Sequence, residues 1–440
     1  MSNSNRRDFL KKTGEAAALT AAVAWSKTSR AADANSRPVV AVIGPGGMGT
    51  AHVQMLAGNK DVDLAYVCDV DQLRLDKAAR EAEKISGRAP KAVKDLRQVL
   101  DDQSVDAVWI ATPDHWHGPA TILACQAGKH VYVEKPCAHN IREGRLMIEA
   151  ARKHNRVVQV GTQSRSTAHT MKAMNLLREG VIGEVLVAKA WNSQRRGSIG
   201  HVKPSQPPSN LDYDLWLGPA PETPYRTNVV HNNWRWWRAF GGGDMGNDGI
   251  HDIDIARWGL GVETHPTRVA SLGGKYYFDD DQEFPDTQYV VCEYEPAEKG
   301  GRTRQLIFEQ RIWSPYVQEG HENGNAFYGT RGVLIFGKKE GYALYGPRNK
   351  LIEKVSAPGP DLAAHHRNFL ECIQTGQKPH ADIEVNHASS SICHLGNLAA
   401  RFGRVLHFDP QKEQIEGDAE ANALVRRSYR TGHWAAPQNA

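Results

Sequence analysis

Over the first 160 positions, apolar residues come in short bursts rich in β-branched side chains, separated by longer stretches with helical period. Residues 39–43, 64–68, 105–111, 130–133 and 157–160 are such bursts, and they read as strands buried on both faces. Residues 71–85, 93–100, 115–127 and 141–154 lie between or beside them and read as helices. Alternating strands and helices predict a parallel, doubly wound α/β sheet, with ligands at the carboxyl ends of the strands. Those ends carry Gly44, Asp69, Thr112, Glu134 and Gly161.

After residue 161 the pattern changes. A helix at 170–179 and a strand at 184–192 precede about fifty residues rich in Pro, Asn and Trp. A loop that long is expected to serve as a substrate lid or as an arm contacting another subunit. A helix at 246–259 interrupts it. Strand-like runs follow at 267–278, 287–294, 304–313, 326–328, 332–336 and 342–344, then helices at 361–374 and 384–401. Strands in succession predict an α+β domain with an open, mainly antiparallel sheet. The expected division is 1–34, a targeting segment; 38–161, the doubly wound domain; 162–405, a substrate and oligomerisation domain; and 406–440, a polar tail. The terminal helices are free to pack back on the first domain.

Composition narrows the function little until the N-terminus is set aside. Asn5-Arg6-Arg7-Asp8-Phe9-Leu10-Lys11 resembles a twin-arginine export signal. A weakly apolar alanine-rich stretch and Ala32-Asp33-Ala34, a cleavage-like site, follow it. This implies contact with the twin-arginine machinery and a periplasmic or extracellular location. Without the first 34 residues the chain has 48 basic and 47 acidic residues, a net charge of +1, which gives no support to nucleic-acid binding. No stretch is long and apolar enough for a membrane span. The six cysteines show no C-x-x-C spacing and are expected as mostly buried free thiols.

The first strand runs into Gly44-Pro45-Gly46-Gly47-Met48-Gly49, a G-x-G-x-x-G loop opening a helix. The first glycine permits the turn, the second lets a pyrophosphate approach the backbone, and the third lets helix and strand pack closely. The helix N-terminus beyond offers free N–H groups and the positive dipole end. Asp69 ends the second strand, where a carboxylate accepts both ribose hydroxyls and repels a 2′-phosphate. The loop therefore predicts Rossmann-type binding of NAD in preference to NADP. Gly44, Gly46, Met48, Gly49, Asp69, Thr112, Pro113, His117, Glu134, Lys135 and Gln163 are the candidate cofactor contacts.

Glu134-Lys135-Pro136 follows the strand that should end near a nicotinamide ring. A lysine there is either a surface charge or a group that steadies a developing alkoxide and exchanges its proton. Together, Gly44-x-Gly46-x-x-Gly49, Asp69, Ala111-Thr112-Pro113 with His117, and Glu134-Lys135-Pro136 resemble the glucose-fructose oxidoreductase / inositol dehydrogenase (Gfo/Idh/MocA) family. Gly241-Gly242-Gly243 followed by Gly249-Ile250-His251 and Ile253-Asp254 resembles that family's substrate-site helix. The resemblance spans residues 38 to about 405 and implies sugar-like substrates on the second sheet, with Lys135 and His251 at the reacting carbon. It also implies a homodimer or tetramer.

One position departs from the family pattern. Asn247 stands where an aspartate is usual, four residues before His251. On an α-helix the two share a face, but asparagine orients a hydroxyl without taking its proton. Asp248 is expected to point about 100° away. Asp244, Asp248, His251, Asp252 and Asp254 spread around that helix, so no metal site is expected. Arg165, with Gln163 near the cleft, is a candidate substrate contact. Within Trp234-Arg235-Trp236-Trp237-Arg238, Trp236 is one too, if the run is a carbohydrate platform rather than core or interface. Three functions stay open: a sugar or cyclitol oxidoreductase with a tightly held, recycled cofactor; a redox-neutral NAD-dependent glycosidase or lyase; and a non-catalytic sugar-binding or scaffold protein, which Asn247 favours.

Overall fold

The computed structural model describes residues 37–438 except 297 and 299. The segment expected to be a twin-arginine signal lies outside the described residues. The first sheet is built by β1 (Val39–Ile43), α1 (Met48–Gly58), β2 (Asp63–Cys68), α2 (Gln72–Ser86), β3 (Lys91–Val93), α3 (Arg97–Asp101), β4 (Ala107–Ile110), α4 (Asp114–Gln126), β5 (His130–Val133), α5 (Ile141–Lys153) and β6 (Val158–Val160). All five strand pairs are parallel, in the order β3-β2-β1-β4-β5-β6. The continuous apolar runs have a direct cause: Val40 and Val42 pack into the layer on one face, Ala41 and Ile43 into the layer on the other. Asp71 caps α2 by accepting the N–H groups of Leu73 and Arg74, and Asn140 caps α5 by accepting that of Glu143. The expected helix at 93–100 is the shorter α3, Arg97–Asp101, and Val93 instead ends β3, a three-residue edge strand too short to show a period.

The second sheet follows. It comprises α6 (Ala168–Arg178), β7 (Val185–Asn192), α7 (Tyr213–Leu217), a π-helical turn (Met245–Gly249), α8 (Ile250–Leu260), β8 (Arg268–Gly274), β9 (Thr287–Tyr294), β10 (Arg304–Arg311), β11 (Asn323–Gly329), β12 (Val333–Gly337), β13 (Gly341–Gly346) and β14 (Lys350–Val355). Helices α9 (Leu362–Thr375) and α10 (Ile383–Phe402) then lead to β15 (Leu406–Asp409), β16 (Gln414–Glu416) and α11 (Ala419–Asn422). The strand order is β14-β13-β12-β11-β7-β10-β9-β8-β15-β16, and only the β7–β10 pair is parallel. The inner face carries Phe308, Phe327 and Phe336, buried against Ile253 of α8 and Leu395 of α10. Helix α10 also packs on α5, joining the two layers. The tail is more structured than its polarity predicts. Leu406, Phe408 and Ile415, buried apolar residues in a polar stretch, seat β15 and β16 at the sheet edge. All six cysteines are buried and free. No helix among the described residues is long and apolar enough to cross a membrane.

Candidate functional site

The glycine loop has the shape its spacing predicts. Gly44 has φ +83°, and a Cβ there would lie 2.8 Å from the Ala111 carbonyl group. A Cβ on Gly49 would lie 2.0 Å from the Gly44 oxygen, so only glycine lets α1 sit this close to β1. No side chain caps α1, and although Gly49 N and Thr50 N turn back to Gly46 O and Gly47 O at 2.9 and 3.1 Å, Gly47 and Met48 set the positive end of the helix dipole at the cavity. Arg74 lies directly over Gly46, its Nη1 2.0 Å from where a Cβ would be. Gly44, Gly46, Met48, Asp69, Thr112, Pro113, His117, Glu134, Lys135 and Asn247 line one cavity of about 210 Å³. Thr112 Oγ1 is buried there without a partner. The uncapped helix, the glycine cradle and this orphaned hydroxyl suit a dinucleotide.

Asp69 accepts the backbone N–H of Asp71 at 2.9 Å. Burial pushes its carboxyl up to about 6, against the opposing charge of Arg74. The next turn fastens the long segment after β7. Gln72 N donates to Asn210 O at 2.9 Å and Asp212 N to Val70 O at 3.0 Å, while Asp71 accepts from Asn210 Nδ2 and His231 Nε2. Leu215, Trp216, His231, Asn232, Trp234 and Arg235 thereby roof the cavity. The long segment is an arm over the dinucleotide cleft of its own chain, where the sequence suggested a substrate lid or a subunit contact.

At the far end, Glu134 accepts from His52 Nε2 at 3.1 Å and from Gln163 Nε2 at 3.5 Å. Burial alone would raise its carboxyl. The hydrogen bond and charge of His52, with Lys135 and His251, instead hold it at about 2. Trp109 Nε1 donates to His366 Nε2 at 3.3 Å, and His52 Nδ1 lies 3.0 Å from the same nitrogen. His117 bridges the ends of β4 and β5, with Nδ1 2.7 Å from Pro136 O and Nε2 2.9 Å from Thr112 O. Lys135 Nζ donates to Asn247 O at 2.6 Å.

Asp114 carries no sequence signal that marks it as a site residue. It is 3% exposed, lines the same cavity, and accepts the backbone N–H of Gly242. Burial pushes its carboxyl up to about 8, against the charges of Lys135 and Arg235. An acidic residue starting a helix is so common a cap that only burial singles this one out.

A second cavity, of about 230 Å³, is lined by Gln163, Gln194, Asp248, His251, Asn323 and Lys338, among others. Here the helix expectation is corrected. Residues 245–249 form a π-helical turn, whose extra residue shifts the phase of α8. Asn247 and His251 therefore line different cavities, and Asp248 shares the second with His251. Burial pushes the His251 imidazole down to about 3, helped by the charges of Lys135 and Lys338. Asp248 is the reverse case: burial would raise it, but Lys338, His251, Lys135 and Arg196 leave it well below the usual carboxylate range.

Two further candidates sit elsewhere. Arg165 is committed to Asp254, with Nε and Nη2 at 2.7 and 2.8 Å, and lines neither cavity. Trp236 is 4% exposed and also lines neither; its neighbours Trp234 and Arg235 face the cleft instead. The helix carboxylates pair with protein cations: Asp244 and Asp248 with Arg196, Asp252 with Lys338. Away from the site, His265 and His387 both donate to buried Glu413, which Arg145 also engages.

Comparisons with known proteins agree with this architecture. Residues 39–162 match an oxidoreductase family described by its NAD-binding Rossmann fold, and residues 181–285 and 341–436 match an oxidoreductase-family C-terminal alpha/beta domain. A glycosyl hydrolase family 109 protein of Shewanella baltica (strain OS185) is 31% identical over 211 residues, 43% of this chain and 46% of the relative. A family 109 protein of Shewanella sp. (strain ANA-3) is 28% identical over 214 residues, again 43% and 46%. The chain thus matches just under half the length of these curated relatives. Among solved structures, aldose-aldose oxidoreductase from Caulobacter crescentus, complexed with glycerol, superposes with a TM-score of 0.64 at 21% identity, covering 85% of this chain and 100% of that one. The WlbA dehydrogenase from Bordetella pertussis, with NADH and UDP-GlcNAcA, gives 0.63 at 19%, covering 85% and 99%. At such identities these likenesses speak to the fold.

Proposed function

This chain belongs to the Gfo/Idh/MocA oxidoreductase family, and from that premise we propose that it oxidises and reduces a carbinol carbon of a sugar, cyclitol or sugar derivative while retaining its NAD. The observation that carries the reading is the partition between the two cavities. Lys135 and Asn247 face the dinucleotide side, Asp248 and His251 the other side, and the Lys135–Asn247 hydrogen bond joins the walls. Bound NAD supplies a hydride acceptor and donor.

The chain's own residues do the rest. The glycine loop, the α1 N-terminus and Arg74 hold the pyrophosphate, and Asp69 takes the ribose hydroxyls and selects against a 2′-phosphate. The Lys135 ammonium steadies the oxygen as its proton leaves. His251, neutral in the resting site, accepts that proton and returns it in the reverse step, and the Asp248 carboxylate beside it favours the transient imidazolium. With Asp248 placed there, Asn247 is a weaker argument for a non-catalytic scaffold.

The arm roofs the dinucleotide cleft and would slow exchange of the cofactor. With the twin-arginine-like segment, this supports export of the folded protein with NAD inside, because a released cofactor is not readily replaced outside the cytoplasm. Retention requires the hydride to return to a sugar. A second sugar is one acceptor, as the name of the Caulobacter enzyme suggests. The same molecule is the other, in redox-neutral glycoside cleavage, which the family 109 relatives favour. Leu272 and Tyr289, paired across β8 and β9, remain exposed on the outer sheet face and suit contact with a second copy.

The test is to isolate the full-length protein, dialyse it without nucleotide, and supply sugar pairs or glycosides with no NAD added. Product is expected. Nucleotide-free protein that turns over only with continuously supplied NAD would overturn the retention reading.

A further inference from the structure

The last residues of the chain have no part in hydride or proton transfer. After α11 the backbone leaves the second sheet and crosses the first domain. Arg427 Nε and the Tyr429 hydroxyl both donate to Glu143 at 2.7 Å. Arg430 N donates to Pro219 O at 2.9 Å, and its guanidinium pairs with Asp214, on the arm that roofs the cleft. Ala435, 2% exposed, is set into the apolar layer of the first sheet.

Between these anchors Trp434 lines the dinucleotide cavity. The Arg97 guanidinium lies 4.5 Å from its ring centroid and the Trp116 ring 5.9 Å away, yet the residue stays 37% exposed. An indole held by its neighbours but left partly open at a cleft is a surface suited to another flat ring.

Topology decides which ring. Arg97 lies on α3, which follows β3, and Trp116 on α4, which follows β4. In the order β3-β2-β1-β4-β5-β6, these two connections bracket the ends of β2 and β1, which carry Asp69 and Gly44. Trp434 therefore sits over the half of the cleft where the adenosine ribose belongs. Lys135 lies in the other half, at the end of β5.

We propose that Trp434 is the aromatic wall of the adenine subsite and that the C-terminal tail, joined to the arm through Arg430 and Asp214, is the latch that retains the dinucleotide. The inference rests on the reading of a retained cofactor, and it assigns that property to residues outside the glycine loop. A purine on an indole face is worth a large factor in residence time, because stacking needs no hydrogen-bond register and both faces leave water together.

The experiment uses full-length protein, its Trp434→Ala and Trp434→Phe variants, and two probes: NADH, and reduced nicotinamide mononucleotide, which lacks the adenosine half. Release is followed by nicotinamide fluorescence after adding an excess of an NADH-consuming dehydrogenase. Trp434→Ala should release NADH about 10- to 100-fold faster, with Trp434→Phe within about 3-fold of the unmodified protein. Reduced mononucleotide should bind all three alike. Arg430→Gln and Asp214→Asn, which unfasten the latch without touching the cavity wall, should also speed NADH release; they serve as the test if Trp434→Ala does not fold. Equal NADH release from every variant, or equal acceleration for both probes, overturns the proposal. If the unmodified protein already loses NADH on dialysis, the retention reading fails, while the ratio between variant and parent still decides the adenine assignment.

Discussion

Lys135, at the carboxyl end of β5, donates to the backbone carbonyl of Asn247 at 2.6 Å, so the ammonium is fixed by a residue of the other domain. Its position therefore depends on the π-helical turn as much as on its own strand. Replacing Lys135 by Ala should lower kcat by about 10²- to 10³-fold, the scale for losing a charge-stabilising donor, while nucleotide stays bound. Single-turnover assays alongside the nucleotide content of the purified variant check both halves. Unimpaired turnover would remove Lys135 from the mechanism.

The π-turn reverses the expected importance of two neighbours. Asp248 shares a cavity with His251, whereas Asn247 points at the dinucleotide cleft and donates to Asp244 Oδ1 at 3.2 Å. Asp248→Asn should cost about 10²-fold in kcat, in the range of acid–base contributions, with little change in KM. Asn247→Asp should fold and add an ionisation to the pH–rate profile, because two carboxylates so close to one another cannot both ionise at their ordinary pKa. A silent Asp248→Asn would remove Asp248 from the proton path.

Cofactor choice follows from Asp69 and Arg74. Asp69→Ala should weaken NAD binding by ~1–3 kcal/mol, the scale for lost charged hydrogen bonds. It should also narrow the preference over NADP, since Arg74, no longer facing a carboxylate, is free for a 2′-phosphate. Titration of both dinucleotides into both proteins decides this, and NADP bound as tightly as NAD by the unmodified protein contradicts the assignment.

Where a side chain's environment is set by its own strand, the sequence was a reliable guide. The alternation of Val40, Ala41, Val42 and Ile43 between two layers made the first sheet visible, and the close approach of Gly49 to Gly44 made the loop visible. The features hidden from the sequence are non-local. The turn at 245–249 reads as the start of the helix that follows it, and nothing in Met-Gly-Asn-Asp-Gly announces one extra residue per turn, although the phase that groups Asp248 with His251 depends on it. Arg165 looks like a free cation until Asp254 is folded against it. Trp236 and Trp234 are indistinguishable in a tryptophan-rich run until the arm is fastened to Asp71. Asp114 carries no sign of its burial or of its backbone partner, Gly242, more than a hundred positions away.

Asp114 supplies a test that needs no substrate. Its carboxyl sits at about 8 in the folded protein, pushed up by burial, against an ordinary value of 3.8. Between those values the folded state keeps a proton that the unfolded chain has released. Stability therefore falls as pH rises through this window, and the loss is complete once pH passes about 8. Asp114→Asn is close in shape to the protonated acid and does not ionise, so it should remove this part of the pH dependence. Asp69 and Asp252, both raised to about 6, act in the same direction at lower pH, but they are present in both proteins and drop out of the difference. Denaturant unfolding at pH 5, 7 and 9, with NAD held at one saturating concentration because bound ligand adds its own stability, gives the comparison directly. The variant should gain on the parent from pH 5 to 7, gain further by pH 9, and gain nothing more beyond that. A difference that is flat across this range would mean that Asp114 is ionised in the folded protein, with Lys135 and Arg235 offsetting its burial.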